Sequence, residues 1–290
     1  MSVLCLIANP DEPFADNGLA KAVAREVAGE LDWLNPGVAC DIRAPEAHDP
    51  AAIARAMVGD APIDVALLPA AGRRKKLLIA DMDSTMIEQE CIDELADAID
   101  IKAEIAAITD RAMRGELDFE AALRTRVALL KGLHRSAIEA VRREKITLTP
   151  GGRAMVQTMK AYGAYTALIS GGFTFFADFF MKRIGFDEAT ANTLEFDDDV
   201  LAGTVATPIV DKSIKLRRLE TLTRERSLWA DETLAVGDGA NDLDMIRAAG
   251  LGVAFHAKPT VASAAKARID HGDLTALLYL QGYREDEFVR

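Results

Sequence analysis

The chain has 290 residues, half of them hydrophobic and 28% charged, with 46 acids against 34 bases and a net charge of −12. That length can bury one sizeable core and leaves room for a second, smaller unit. The acidic balance excludes a general nucleic-acid binder, which needs a basic face. No apolar run is long enough to span a bilayer. The start, MSVLCLIANPDEP, lacks the basic region of a secretory signal, so a cytoplasmic protein without membrane partners is expected. Cys5, Cys40 and Cys91 form no CxxC pair, which suits buried small hydrophobes better than a disulfide framework or a zinc site.

Residues 3–9 (VLCLIAN) read as a strand, 17–32 as an amphipathic helix, 37–43 as a strand, 50–58 as a helix and 63–69 (IDVALLP) as a strand. This is a small α/β unit over 1–73, closed by the basic cluster AAGRRKK, which reads as a linker. A second unit, 74–290, opens with the strand LLIA and an acidic loop. Then 88–144 is almost wholly helical in pattern, giving a cap at about 88–146, with apolar residues at helical spacing in CIDELADAI, AEIAAI and EAALRTRVALL. TPGG (149–152) breaks that region, and Pro150 suits the opening of the next helix. AYTALIS (164–170) is a short buried strand running into Gly171-Gly172. TLAVGDGAND (233–242) repeats the device, with a helix expected from about Ala240, and GLGVAF (250–255) gives a further strand.

Strands alternating with helices predict a doubly wound α/β fold with a parallel sheet. In such sheets ligands bind beyond the carboxyl ends of the strands. Three chemically unusual loops, 81–85, 170–172 and 237–242, each follow an apolar strand and should meet there, beneath a helical cap inserted after the first core strand.

Asp81, Asp83, Asp238 and Asp242 would then crowd four carboxylates into one crevice. Oxygen ligands without histidine or thiol suit Mg²⁺, and Mg²⁺ held by carboxylates points to phosphoryl chemistry. One carboxylate beside the ion can attack phosphorus, and a second can donate a proton to the leaving oxygen. Ser170 and the amides of Gly171 and Gly172 offer an anion nest, and Lys212 or Lys215 a point charge. Each feature has a plainer reading: Asp-x-Asp occurs in many turns, Ser-Gly-Gly is often a flexible turn, and lysines are commonly solvated. The ordered set of strand–DxDxT, strand–SGG, lysine, strand–GDGxND is what singles this chain out.

DMDST, SGG, the following lysine and GDGAND resemble the signature motifs of the haloacid dehalogenase-like phosphatases. DMDSTMIEQECIDELA, MRGELDFEAALRTRVALLKGL and VGDGANDLDMIRAAGLGVAFHAKP resemble, within that superfamily, the branch that hydrolyses O-phospho-L-serine in the last step of serine biosynthesis. The likeness covers roughly 75–280. It implies Asp81 as the nucleophile that becomes aspartyl-phosphate and Asp83 as the general acid/base. Mg²⁺ would be held by Asp81, the backbone carbonyl of Asp83, and Asp238. It further implies Ser170, Gly171 and Lys215 on the phosphate, the lysine chosen because IVDKSIK ends on it. Asn241 and Asp242 would orient the phosphate, the lysine and the ligands of the metal. On the cap it puts Glu90 on the substrate ammonium and Arg126 on its carboxylate, with Arg124 a rival, and Met113 and Phe119 as apolar contacts.

A small phosphorylated amino acid is therefore the expected partner. Another small-molecule phosphatase, a phosphotransferase and a non-catalytic amino-acid sensor are the competing readings. Longer members carry an ACT-like ferredoxin-type unit ahead of the catalytic one. The strand–helix–strand–helix–strand pattern of 1–73 is one strand short of it, leaving amino-acid sensing and homodimer formation as open hypotheses.

Overall fold

The computed structural model describes residues 1–14, 17–113 and 116–290, apart from the Met113 side chain. The amino-terminal unit runs β1 (Ser2–Ala8), α1 (Gly18–Glu26), β2 (Glu30–Asn35), β3 (Ala39–Arg43), α2 (Pro50–Val58) and β4 (Ile63–Pro69). Its strands form an antiparallel sheet in the order β2-β3-β1-β4, the βαββαβ ferredoxin-like arrangement. This corrects the sequence reading in one respect: the helix expected over 17–32 stops at Glu26. Ala28 turns the chain at φ 50°, and Glu30–Asn35 adds the fourth strand. Alternation of Leu31 and Trp33 with polar residues is the strand signal hidden under the helical period.

The second unit begins with β5 (Leu77–Ala80), followed by a tight turn at 82–86 and the cap helices α3 (Cys91–Asp97), α4 (Lys102–Met113), α5 (Phe119–Leu129) and α6 (Arg135–Glu144). The chain returns through α7 (Gly152–Ala161), β6 (Tyr165–Phe173), α8 (Thr174–Ile184) and β7 (Glu188–Asn192). A hairpin follows, β8 (Leu194–Asp197) with β9 (Val200–Val205), then α9 (Lys212–Glu225) and β10 (Thr233–Gly237). The last elements are α10 (Leu243–Ala248), β11 (Leu251–Phe255), α11 (Pro259–Ala262), β12 (Ala267–Ile269) and α12 (Ala276–Leu280). The expected start of a helix near Ala240 is a single 3₁₀ turn, with α10 opening three residues later.

Six strands form one parallel sheet in the order β12-β11-β10-β5-β6-β7. All four residues of β5 are buried at its centre. From β5 the chain winds to β6 and β7 on one side and later to β10, β11 and β12 on the other. The strand order therefore switches between β5 and its neighbours, opening a crevice at their carboxyl ends. The cap and the hairpin are joined by main-chain hydrogen bonds: Gly132 N–H to Leu201 O at 2.8 Å, Leu201 N–H to Leu133 O at 2.9 Å, and Arg135 N–H to Asp199 O at 2.7 Å.

Two buried polar clamps join the units. The Asp64 carboxylate, on β4, accepts N–H groups of Asp270, His271 and Gly272 after β12, the shortest at 2.7 and 2.8 Å. Arg73 pairs with buried Asp41 and donates to the carbonyls of Tyr279 and Leu280. The AAGRRKK cluster thus includes a side chain that is locked between both units. Cys5, Cys40 and Cys91 are all buried free thiols.

Candidate active site

Asp81 follows β5 directly, and its N–H donates to Val236 O at 3.0 Å, extending the sheet by one residue. Its Oδ1 accepts the Met82 N–H at 2.7 Å, which turns the chain sharply. Ser84 sits at φ 54°, a backbone position uncommon outside glycine and typical of functional turns. That turn carries Asp83 back over the strand end. Asp83 Oδ1 accepts the Cys91 N–H at 2.9 Å, at the start of α3, and Oδ2 accepts the Ser170 hydroxyl at 2.9 Å. Burial pushes the Asp83 carboxyl up, and Asp81 adds to this against the hydrogen bonds from Cys91 and Ser170.

Ser170 is reached because β6 and β7 lose register there. Ile169 pairs with Thr190, but the next pair is Phe173 with Asn192, so 170–172 bulges towards the crevice. The Gly172 N–H donates to Ser170 Oγ at 2.8 Å. A Cβ on Gly172 would lie 2.6 Å from Asp83 Oδ2, so only glycine lets this loop approach the acid.

Asp211 caps α9 by accepting the N–H groups of Ser213 and Ile214 at 2.9 and 3.2 Å. The start thus fixed puts Lys215 on the same buried face as Leu219 and Leu222. Its ammonium lies 2.8 Å from Asp81 Oδ1 and 2.7 Å from Asp242 Oδ1. Burial alone would lower the Lys215 pKa, but the two carboxylates overcome it and hold the lysine charged. Lys212 begins the same helix outside this ion pair, so geometry separates the two lysines that spacing left open.

Asp238 and Asp242 follow β10. Burial and then Asp81, with Asp242 adding for Asp238, push both carboxyls up to about 7 against the lowering effect of Lys215. Carboxylate oxygens of Asp81, Asp238 and Asp242 lie within 4.8 Å of one another. Asp242 Oδ1 is taken by Lys215 and Oδ2 by the Gly239 N–H at 3.1 Å. Asp238 Oδ1 accepts, among the described residues, only the Thr85 hydroxyl, at 3.3 Å. Among the described residues, Oδ2 of Asp81 and of Asp238 accept no hydrogen bond. An all-oxygen donor set, crowded, buried and short of positive charge, fits a hard divalent cation between Asp81 and Asp238.

Above these loops lies a cavity of about 470 Å³ lined by Asp81, Asp83, Asp238, Gly171 and Asn241 below, and by Glu90, Phe119 and Arg126 from the cap. Glu90 Oε1 accepts the Ser84 hydroxyl at 2.8 Å. Burial and then Asp83 push its carboxyl up to about 8. Burial lowers the Arg126 pKa, against Asp93 and Glu90, which raise it. Among the described residues, the Arg126 guanidinium makes only long contacts, 3.5 Å to Thr109 Oγ1 and 3.4 Å to Ala122 O. Arg124 instead pairs with Glu120 at 2.8 Å and is absent from the cavity wall. Phe119 covers Gly171, whose added Cβ would be 3.4 Å from the ring. The side chain of Met113, the other expected cap contact, lies outside the described residues. Thr85, buried and bonded to Asp238, and Lys258, on the cavity wall, were not picked out from the sequence. Thr85 sits inside the DMDST motif and Lys258 within the AKP stretch, and neither stands at a spacing that marks it as a site residue.

A parallel sheet with a switch-point crevice, a DxDxT turn, a serine–glycine bulge, a buried lysine and an acid pair defines a class. The model of the haloacid dehalogenase-like hydrolases matches residues 78–247, and the chain belongs to that family. It is 44% identical over 227 residues to the phosphoserine phosphatase of Streptomyces coelicolor, an alignment covering 78% of this chain and 55% of that protein. The chain thus spans little more than half the length of that relative. A solved HAD family hydrolase from Salmonella enterica serovar Typhi superposes with TM-score 0.85 at 30% identity, over 96% of this chain and 97% of that one. The structure of a phospho-aspartyl intermediate analogue of phosphoserine phosphatase superposes with TM-score 0.66 at 37% identity, over 71% and 98%.

Proposed function

We propose that this hydrolase is a Mg²⁺-dependent phosphatase that converts O-phospho-L-serine to L-serine and phosphate through an aspartyl-phosphate. The observation that carries the reading is the joint lining of one cavity by Asp81, Asp83, Gly171 and Asp238 from the core and by Glu90 and Arg126 from the cap. Phosphate needs the first set. An α-amino acid needs the second: a carboxylate for its ammonium and a guanidinium fork for its carboxylate.

Asp81, Asp238 and the backbone carbonyl of Asp83 would hold Mg²⁺, which when bound neutralises phosphate charge and keeps both aspartates ionised. Lys215 pairs with Asp81 Oδ1 and adds positive charge beside the phosphate, and a carboxylate oxygen of Asp81 attacks phosphorus. The phosphorus–serine oxygen bond breaks as the Asp81–phosphorus bond forms. Asp83, whose carboxyl pKa burial raises, donates a proton to the departing serine oxygen and afterwards takes one from the attacking water. Ser170, the Gly171 N–H and Asn241 receive the phosphate oxygens, while Asp242 keeps Lys215 in place. Phe119 and the cap helices keep bulk water from the acyl phosphate.

The likeness of the Streptomyces relative and of the phospho-aspartyl analogue supports the same substrate and intermediate. Among its described residues, the amino-terminal unit, residues 1–73, carries no acid–lysine constellation of this kind. Its ferredoxin-like order supports the ACT-like reading, and we extend the proposal to amino-acid sensing or homodimer formation there.

A panel of phosphorylated metabolites, assayed for phosphate release with Mg²⁺ and with a chelator, tests the reading. Phosphoserine should lead the panel by a wide margin and lose turnover on chelation. A flat profile, or transfer to acceptor alcohols in place of hydrolysis, would sink it.

A further inference from the structure

We infer that Asn192, at the carboxyl end of β7, is a positioning residue that holds the phosphate-binding bulge and the lead-in to the Lys215 helix in one piece. The inference rests on the phosphate-binding role proposed above for Ser170 and Gly171.

Asn192 is buried, 1% exposed, and belongs to none of the sequence motifs. Among the described residues, every hydrogen bond of its side chain is to backbone. Its Nδ2 donates to Gly171 O at 2.8 Å and to Val210 O at 3.3 Å, and its Oδ1 accepts the Val210 N–H at 2.7 Å. The register break between Ile169 and Phe173 leaves the Gly171 carbonyl without a strand partner, and Asn192, opposite Phe173 in the ladder, supplies one. No apolar residue can do this, and a carboxylate could accept from Val210 but not donate to Gly171.

The consequence reaches the chemistry through one rigid peptide. Holding the Gly171 carbonyl fixes the plane of the Gly171–Gly172 peptide, because carbonyl and N–H of a trans peptide move together. That N–H donates to Ser170 Oγ, and Ser170 in turn donates to Asp83 Oδ2. On the other side, Val210 immediately precedes Asp211, the cap that sets the start of the Lys215 helix. One amide therefore ties both anion-facing groups, the serine loop and the lysine helix, to the end of β7. It also lies two residues before the hairpin that is bonded to the cap.

The test compares wild type with Asn192→Asp, which keeps the Val210 contact and loses both donors, and with Asn192→Ser, which is neutral and smaller. Inorganic phosphate binding is measured by titration in Mg²⁺, beside thermal melts and phosphoserine kinetics. Phosphate affinity and kcat/KM should fall together, by roughly tenfold or more for a carbonyl left unpaired, in protein that still melts cooperatively. A purely structural amide would lower the melting temperature and leave the phosphate affinity of the folded fraction unchanged, and that result overturns the inference. Should neither variant fold, ¹⁵N-asparagine labelling of the unmodified protein replaces them. The Asn192 side-chain amide should exchange slowly and shift on adding phosphate, and an amide indifferent to phosphate overturns the inference. Wild type that binds phosphate yet ignores phosphoserine would refute the proposed substrate and leave this inference standing. Wild type that binds no phosphate would end both.

Discussion

Replacing Asp238 with Asn should stabilise the ion-free protein while abolishing its response to Mg²⁺. Burial and the nearby Asp81 and Asp242 push the Asp238 carboxyl from 3.8 to about 7. At 1.36 kcal/mol per pH unit the difference amounts to roughly 4 kcal/mol, and partial solvent access brings the expected effect to about 2–4 kcal/mol. The sign follows from linkage. Between about pH 4 and pH 7 the unfolded chain has lost this proton and the folded one keeps it. Stability therefore falls as pH rises through that window and is flat above it. Asn carries no such cost. Urea denaturation in chelator should then show Asp238→Asn more stable than wild type by about 2–4 kcal/mol at pH 8, with the gain gone below about pH 4. Mg²⁺ should raise the stability of wild type and leave the variant where it was. If the variant is the less stable protein at pH 8 without metal, or if Mg²⁺ stabilises both equally, the crowding argument for the site is wrong.

Arg126→Ala should raise KM for phosphoserine roughly ten- to hundredfold, the loss of a charge-assisted contact worth about 1.5–3 kcal/mol, with little change for a phosphate ester lacking a carboxylate. Arg124→Ala, which loses the exposed pair with Glu120 and a long 3.5 Å contact to Val205 O, should be near neutral on both substrates, and an equal effect of the two changes would reassign the carboxylate site. Lys215→Met leaves Asp81 and Asp242 uncompensated, and should cost about 3–5 kcal/mol in ion-free chemical denaturation. Gly172→Ala puts a methyl 2.6 Å from Asp83 Oδ2 and 3.0 Å from Ser170 Oγ, so kcat should drop roughly a hundredfold with the melting temperature little altered.

Local signals carried far into this protein. An apolar run ending in chemistry-bearing residues is legible one strand at a time, and the parallel-sheet rule alone brings 81–85, 170–172 and 237–242 to one crevice. The cap was legible for the same reason, as helical periodicity over most of 88–144. Less legible was whatever depends on long-range partners. Arg73 reads as one base in a linker because its partners, Asp41 and the carbonyls of Tyr279 and Leu280, are far away in sequence. The strand Glu30–Asn35 was absorbed into the preceding helix because Leu31 continues the helical period of α1, and only the turn at Ala28 separates them. The stretch 188–205, with its small and polar residues, gave no strand reading, yet it forms β7, β8 and β9. Asn192 lies in that stretch, and its importance arises from a register break that no local pattern announces.

The account turns on covalent capture of phosphorus by Asp81. Rapid acid quenching of protein turning over phosphoserine in Mg²⁺, followed by peptide mass analysis, reads it directly. Phosphate mass should appear on the peptide containing Asp81, vanish in Asp81→Asn that still folds and melts normally, and be discharged when substrate is exhausted. Full turnover with no phosphate on that peptide, or undiminished activity in Asp81→Asn, would contradict it.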